Sequence, residues 1–536
     1  MPNGNRKKHP NSLMKSDVRY RKYVGLLILI STLIRAFVAA TIELGNDEVY
    51  YRLYALYPDW SHFDHPLMVG LTIQLFSLNL WLHSELFIRL GSVILGAVNI
   101  WLIYRIGSVI KNERTGFFAA LLFTASVYAS VITGIFILPD TPQSFFWLLA
   151  LLLMMQSVAS CPNSPMSRLK MFRMGIVIGL AILSKYTSVF LWLGALLYIL
   201  LYNRSWLKSK WLYFSLAATA IISLPILIWN IQYNFISFTF HGERVEMVGH
   251  ALNPGYFLTE LAGEFLYNNP VNFVLILIVL IAIARKKIDL KKNYLRSLLL
   301  VSLPLIITIL TVSLFRHTLP HWTAPAVMTL LLPAAAWLDQ HAKAKRIPGV
   351  IIASLSLLLL VIVLGYGQIN YGLVDFKSLV KKYGISADDS TLDMFGFDQA
   401  GKAFAEICRK DMSQNLMSDQ SILVGNFWFP LANFDYYAAS LLGMKCYGIG
   451  PLEQIHKYAW INETNGGFQK GMDAYYLTTT REYRSPYGNL DQYFEKILPP
   501  DTIDIYRNNS IVKQVFVYRL KNLNKIPEND LAPYKK

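Results

Sequence analysis

Apolar residues in this chain gather into long runs, close to the roughly 20 residues that cross a bilayer core. They neither alternate nor repeat on one helical face. Eleven such runs lie near 23–42, 86–106, 116–135, 141–157, 172–184, 186–202, 211–230, 270–285, 296–314, 322–338 and 349–367. Each predicts a membrane-spanning helix. The fifth and sixth share one apolar stretch, interrupted only by Ser184-Lys185-Tyr186. Beyond residue 370 the pattern changes. "DQAGKAFAEICRKD" has helical periodicity, while "SILVGNFWF", "AYYLTTT" and "IVKQVFVYRL" read as strands. These predict a small α/β or α+β domain after the membrane domain.

Composition agrees with the pattern. Of 536 residues, 54% are hydrophobic and 16% are charged, where a soluble chain carries about a quarter charged. Charge placement sets the orientation. The first 22 residues hold seven Lys/Arg against one acid, Asp17. With that tail in the cytoplasm, the other basic turns fall on the same side. They carry Arg105, Lys111 and Arg114; Arg168, Lys170 and Arg173; Arg204, Lys208 and Lys210; "RKKIDLKKNYLR" at 285–296; and Lys343, Lys345 and Arg346. The count works only if 173–202 forms two spans. The first apolar segment is long and no small-residue cleavage site follows it, so it remains as a span rather than a signal peptide. This divides the chain into a cytoplasmic tail, 1–22, a membrane domain, 23–369, with a first outward loop at 43–85, and an exported domain, 370–536. The span count puts that last domain outside the cytoplasm.

The exported segment holds 19 Lys/Arg and 19 Asp/Glu, so the formal excess of +16 falls in residues 1–369. That excess reads as topology and anionic lipid contact, with no nucleic-acid partner. Cys161 falls in a cytoplasmic loop and is expected to be reduced. Cys408 and Cys446 fall in the exported domain, where a disulfide is permitted and two separate buried thiols are the alternative. No Walker loop or dinucleotide fingerprint is present, so no nucleotide cofactor is expected. The long polar segments, 43–85, 231–269 and 370–536, all face outward. ATP and nucleotide sugars are absent there, so an activated substrate must arrive on a lipid.

The chemistry gathers in the outward turns. "ELGNDEVYYRLYALYPDWSHFDHPL", 43–67, mixes five carboxylates, two histidines and several aromatics. Asp47 and Glu48 stand just past the first span, where carboxylates are costly unless they meet water or a partner. Glu48 and Arg52 are spaced i,i+4 on a short helix and can pair; Asp47 is read as a base or as that helix's cap. Pro66 stops any helix at Asp64-His65. His62, Asp64 and His65 make a set that can hold a divalent cation, at a spacing too loose to require one. Tyr50 and Trp60 suit an interfacial belt or a sugar face. Asp140 opens the fourth span, as a cap or as a polar site residue. Lys185 stands nearly alone between apolar runs on the outward side, where it snorkels or binds an anion. His241 and Arg244 lie in "FTFHGERVEMVGH", and Arg316, His317 and His321 in "FRHTLPHWTAPA"; Pro320 argues against a helical pair of those histidines. One reaction uses the whole set: transfer of a sugar from a lipid phosphate to a hydroxyl. Asp47 is the general base, Lys185 with Arg244 or His65 meets the phosphate, and the spans hold the lipid tail. A transporter or flippase of a lipid-linked substrate, and a non-catalytic subunit of an envelope-glycan assembly, are the alternatives.

The ordered set "NDEVYY…DWSHFDHPLMVG", "LPDTPQSFFWLLAL", "GLAILSKYTSVFL" and "LPHWTAPAVMTL" resembles glycosyltransferase family 83. That family comprises the lipid A aminoarabinose transferases and relatives similar to dolichyl-phosphate-mannose-protein mannosyltransferases. "GFDQAG" and "DAYYLTT" resemble its exported domain. The resemblance implies a GT-C fold of about 11–13 spans, an undecaprenyl-phosphate sugar donor and inversion at the sugar. It implies a leading catalytic role for Asp47 with Glu48 beside it, phosphate contact at Lys185, a polar role for Asp140, and metal ligation at Asp64 and His241. Two departures stand out. Tyr50 replaces a basic residue usual in the aminoarabinose transferases, and His65 replaces a lysine. The sugar and the acceptor, whether lipid, glycan or protein, therefore stay open.

Overall fold

The computed structural model describes residues 10–158, 162, 164–343, 346–376, 389–528 and 531–535, with side chains from Arg19 onward. Cys161, Lys345 and the tail before Pro10 lie outside the described residues. In chain order the helices are α1 (Pro10–Thr41), α2 (Asn46–Leu56), α3 (Met68–Phe76), α4 (Glu85–Ile110), α5 (Glu113–Ala125), α6 (Asp140–Ser157), α7 (Pro165–Ser184), α8 (Val189–Tyr202), α9 (Lys210–Gln232), α10 (Ile236–Val245), α11 (Pro254–Tyr267), α12 (Pro270–Ala284), α13 (Lys292–Ser313), α14 (Ala324–His341) and α15 (Gly349–Tyr371). Each apolar run read from the sequence is helical; the third ends early, α5 giving way to a π-turn at Tyr128–Ile132. Among the described residues, five helices are by themselves long and apolar enough to cross a membrane, with α11 and α12 adding a sixth, bent by 106°, if taken together. The protein is a multi-pass membrane protein. The 173–202 stretch does divide: α7 stops at Ser184, Lys185 is extended, and a 3₁₀ turn at Tyr186–Ser188 leads into α8.

Two compact units are present. The first comprises Met1–Ala39, Arg89–Leu227 and Phe238–Leu360. Small residues let its helices approach closely, as apolar helices in lipid require. Gly175 of α7 faces α9 so tightly that a Cβ would meet the Ser215 carbonyl at 2.2 Å. Hydroxyls stitch the same seam: Ser215 donates to the Met171 carbonyl at 2.7 Å and Thr219 to the Gly175 carbonyl at 2.6 Å.

The second unit comprises Ala40–Ile88, Ile228–Ser237 and Val361–Lys536. Its centre is a five-stranded sheet, β1 (Ile422–Gly425), β2 (Cys446–Gly448), β3 (Ala474–Thr479), β4 (Phe494–Arg507) and β5 (Ser510–Leu523), in the order β2-β1-β3-β5-β4. β1 runs parallel to β2 and β3; β5 is antiparallel to β3 and β4. The predicted strand at 421–429 is cut to Ile422–Gly425, because the chain turns into a helix at Trp428–Phe434. β4 was not predicted. It is an edge strand, and its Pro499-Pro500 falls at a register shift between Leu498 and Asp501, where no ladder donor is needed. Asn508 and Asn509, at φ 49° and 60°, make the two-residue turn into β5. The helix Phe397–Ser413 carries the two glycines of "GFDQAG": Gly396 has φ 85°, and a Cβ on Gly401 would lie 1.8 Å from the Tyr437 carbonyl. The permitted disulfide does not form, since Cys408 on this helix and Cys446 in β2 are both free and buried.

Arg519 of β5 joins that helix to the sheet. Its Nε and Nη2 donate to the two carboxylate oxygens of Asp411 at 2.6 and 2.9 Å, and the Tyr475 hydroxyl donates to the same carboxylate at 2.9 Å. The pair is buried, so removing one partner strands the other. Asp411→Ala is expected to destabilise this unit by about 3 kcal/mol or more, whereas the double change Asp411→Leu with Arg519→Met recovers most of the loss. Thermal unfolding followed by tryptophan fluorescence checks both.

Candidate active site

The predicted site residues fall into two clusters, one in each unit. In the second unit, α2 begins at Asn46, and the Gly45 amide donates to Glu48 Oε2 at 2.8 Å. Glu48 is buried and closes the first turn, while Asp47 beside it is exposed. Gly45, not Asp47, is the N-cap. Tyr50 and Tyr54 follow one turn apart on the buried face, and both hydroxyls donate to Asp64 Oδ1, that of Tyr50 at 3.0 Å. A Cβ on Gly70 of α3 would meet the Tyr54 backbone at 2.9 Å, so α2 and α3 are in backbone contact behind these tyrosines.

Asp64 is therefore buried and held by two phenols of α2. Burial pushes its carboxyl up, but the His65 and His456 imidazoles and the Tyr54 and Tyr50 hydroxyls outweigh burial and hold it below the usual range. His62 stacks on Tyr54, ring centroids 3.6 Å apart, and burial, with Lys457 adding, pushes its imidazole well below the usual range. Lys457 is itself drawn down to about 8 by burial, against the pull of Asp59 and Asp64. His456, at φ 48°, packs its ring against Tyr50, Phe63 and Trp428. Asp59 accepts from Trp229 Nε1 at 3.0 Å, and Trp60 is 58% exposed. The i,i+4 pairing of Glu48 and Arg52 gives way to another partner: Arg52 lies 3.9 Å from Asp435 and over the Tyr436 ring. His65 sits beside the Tyr51 ring at 5.8 Å.

In the first unit, Asp140 opens α6 with Pro139 as the cap. It is buried, and so is Lys185. Lys185 Nζ donates to Asp140 Oδ2 at 2.8 Å and the Tyr128 hydroxyl to Asp140 Oδ1 at 3.0 Å. His321, in the 3₁₀ turn Pro320–Trp322, faces the same pair; burial, then the Lys185 charge, pulls it down to about 4 against Asp140, so it is neutral. Gln143 ties α6 to the turn after Lys185 by donating to Thr187 and Ser188 at 2.8 and 3.1 Å. His241 and Arg244 share α10: His241 lies against the Tyr186 ring at 5.1 Å, and the exposed Arg244 guanidinium covers Phe240 at 4.1 Å. Arg35 of α1 is also buried, donating to Ser130 at 3.1 Å.

Sequence reasoning missed His456, Lys457, Asp435, Tyr54 and Arg35 as site residues. Two of these had a signal: Tyr54 is i,i+4 from Tyr50, and Arg35 interrupts an apolar run. Among the described residues no group of three or more His, Cys, Asp or Glu side chains is placed to hold a metal ion. The donor set at Asp64 does not fit one well either, with Oδ1 already taken by two hydroxyls.

The chain compares with known proteins as follows. The family model of dolichyl-phosphate-mannose-protein mannosyltransferase matches residues 64–229. Among curated proteins none matches the chain. The solved structure of ArnT from Cupriavidus metallidurans in the apo state is similar at a TM-score of 0.59 and 14% identity, covering 93% of this chain and 98% of that one. The same protein bound to undecaprenyl phosphate gives the same score and identity over 92% and 98%. The apo oligosaccharyltransferase of Archaeoglobus fulgidus is similar at 0.45 and 12% identity, over 85% of this chain and 69% of that one. The resemblance read from the motifs thus has a family match in 64–229, and the chain has the GT-C fold, a multi-pass membrane domain followed by a C-terminal sheet domain.

Proposed function

We propose that this chain is an integral-membrane glycosyltransferase that moves a sugar from a polyisoprenyl-phosphate donor of the undecaprenyl-phosphate type to a hydroxyl of a lipid, glycan or protein. The reaction takes place on the outer face of a bacterial inner membrane, with the C-terminal domain in the periplasm. The observation that carries this reading is the shared fold: ArnT, solved with undecaprenyl phosphate bound, is similar over 92% of this chain. The paired chemistry on each unit supports it.

The acceptor hydroxyl attacks the anomeric carbon, its proton passes to a base, and the bond from that carbon to the phosphate oxygen breaks. A single displacement inverts the sugar. Asp47 is the base: it is the exposed carboxylate of the α2 first turn. Glu48 is a positioning residue that holds that turn through the Gly45 amide. The exposed Trp60 offers its ring to a sugar face, while Tyr50 and Arg52 act behind it by holding Asp64 and Asp435. Lys185 meets the leaving phosphate. Its ammonium has three donors, and Asp140 takes one of them, so two remain for phosphate oxygens. Asp140 fixes the ammonium in place and Tyr128 fixes Asp140.

Asp47→Asn is expected to lower turnover by about 10² to 10⁴-fold, the usual worth of a general base, with membrane insertion and thermal stability unchanged. Sugar transfer from a synthetic polyprenyl-phosphate donor, with product seen by mass spectrometry, measures this; normal turnover overturns the assignment.

Lys185→Ala is expected to raise the donor KM and lower kcat together. Asp140→Asn with Lys185→Met, which removes the buried pair without leaving a lone charge, is expected to be inactive yet as thermally stable as the parent. Donor titrations of both variants beside their melting curves check the point.

A further inference from the structure

We infer that the C-terminal sheet domain carries a binding site for an anionic saccharide at the carboxyl ends of its parallel strands. The sheet order places β1 between β2 and β3. The chain leaves β1 toward β2 on one side and then crosses back to β3 on the other. At such a reversal the loops after the strands diverge and leave a crevice, the usual ligand site of open α/β sheets. A cavity of about 440 Å³ occupies that position, within the range of small-molecule sites. Asn426 follows β1 directly, Gln454 stands in the short helix Leu452–Ile455 after β2, and Arg484, Ser485, Asn489 and Gln492 follow β3.

The lining determines the ligand class. No acid is among the residues that line the cavity. Arg484 makes no ion pair among the described residues, and its guanidinium lies over the Phe427 ring at 3.8 Å, which fixes the planar fork that suits a carboxylate or phosphate. Side-chain amides each offer a donor and an acceptor, the pairing that adjacent sugar hydroxyls require. Asn426 Oδ1 accepts from Tyr476 at 3.2 Å, leaving its NH₂ to donate. Gln492 Nε2 donates to the Asn489 carbonyl at 3.0 Å, leaving its oxygen to accept. Ser485 Oγ accepts from the Tyr487 amide at 3.1 Å, leaving its hydroxyl proton. Several neutral donors and acceptors around one arginine select a polyhydroxyl ligand with a single anionic group, a sugar acid or a sugar phosphate. This site does not rest on the transfer reading, because recognition here needs none of the groups assigned to the reaction.

The test uses the full chain in detergent, titrated calorimetrically with sodium glucuronate, glucose 1-phosphate and glucose. At least one anionic sugar is expected to bind more tightly than glucose, and the tighter of the two identifies a carboxylate or a phosphate as the recognised group. Arg484→Ala is expected to weaken the anionic sugars about tenfold or more, toward the level of glucose, as loss of a charge-assisted contact does. Gln454→Ala, in the short helix Leu452–Ile455, is expected to weaken all three severalfold and provides the test if Arg484→Ala fails to fold. Lys185→Ala and Asp47→Asn are expected to leave binding unchanged. The proposal is overturned if neither anionic sugar binds, if glucose binds equally well, or if the loss follows Lys185→Ala instead of Arg484→Ala.

Discussion

The second unit depends on one carboxylate. The helix Phe397–Ser413 starts where its first amides need acceptors other than water, and Glu43 supplies them, accepting from the Phe397 and Asp398 amides at 2.8 and 3.2 Å. Burial pushes the Glu43 carboxyl above its usual range, while the Phe397 amide and the Lys513 ammonium oppose that rise. The Leu44 amide donates to the Tyr437 hydroxyl at 2.6 Å, so two consecutive residues of the first loop are committed to the C-terminal segment. With 43 and 44 fixed, Gly45 caps α2, Glu48 closes its first turn, and Asp47 faces solvent. The position of the proposed base therefore follows from a helix-capping requirement about 350 residues away in sequence, which is why the first loop belongs to the same compact unit as the sheet.

The first unit answers a different constraint. An ionised side chain at the end of an apolar helix needs a partner or water. Asp140, Lys185 and Tyr128 meet that need among themselves, and Arg35 meets part of it through Ser130. A neutral His321 beside them adds no charge. Such a pair is a modest source of stability, because desolvation offsets much of the attraction. Its value is positional: an ammonium held by one bond, in surroundings where it cannot wander, retains its other protons for an anion.

How much of this was legible in the sequence varied with the range of the interaction. Hydropathy alone marked the runs that fold as apolar helices, five of them by themselves long enough to cross a membrane among the described residues, because a long apolar run has one physical solution. The break at Ser184-Lys185-Tyr186 was legible for the same reason. Within the first loop, Pro66 and the short helix before it were readable from local chemistry. The partners were not. Arg52 was read against Glu48, its neighbour on one helix, whereas the structure gives it Asp435. Asp64 was read as a metal ligand from its flanking histidines, whereas two tyrosines of α2 and the distant His456 surround it. β4 was hidden by its two prolines, which are tolerated only because it is an edge. Cysteine count permitted a disulfide, but only the positions of Cys408 and Cys446 could decide against it.

The partners sort the carboxylates better than the motifs do. Glu43 binds helix amides, Glu48 closes a turn, Asp64 accepts two phenols, Asp140 holds an ammonium, and Asp59 accepts from an indole. Each of those roles uses the carboxylate oxygens as acceptors that fasten the fold. A general base must do the opposite: it has to take a proton during the reaction without unfastening the fold that positions it. Of the paired acids at the head of the first loop, Glu48 is buried in its cap while Asp47 is exposed. Glu48 is spent on closing the turn, so of the two acids the proposed reaction takes Asp47, exposed at the same turn, as its base.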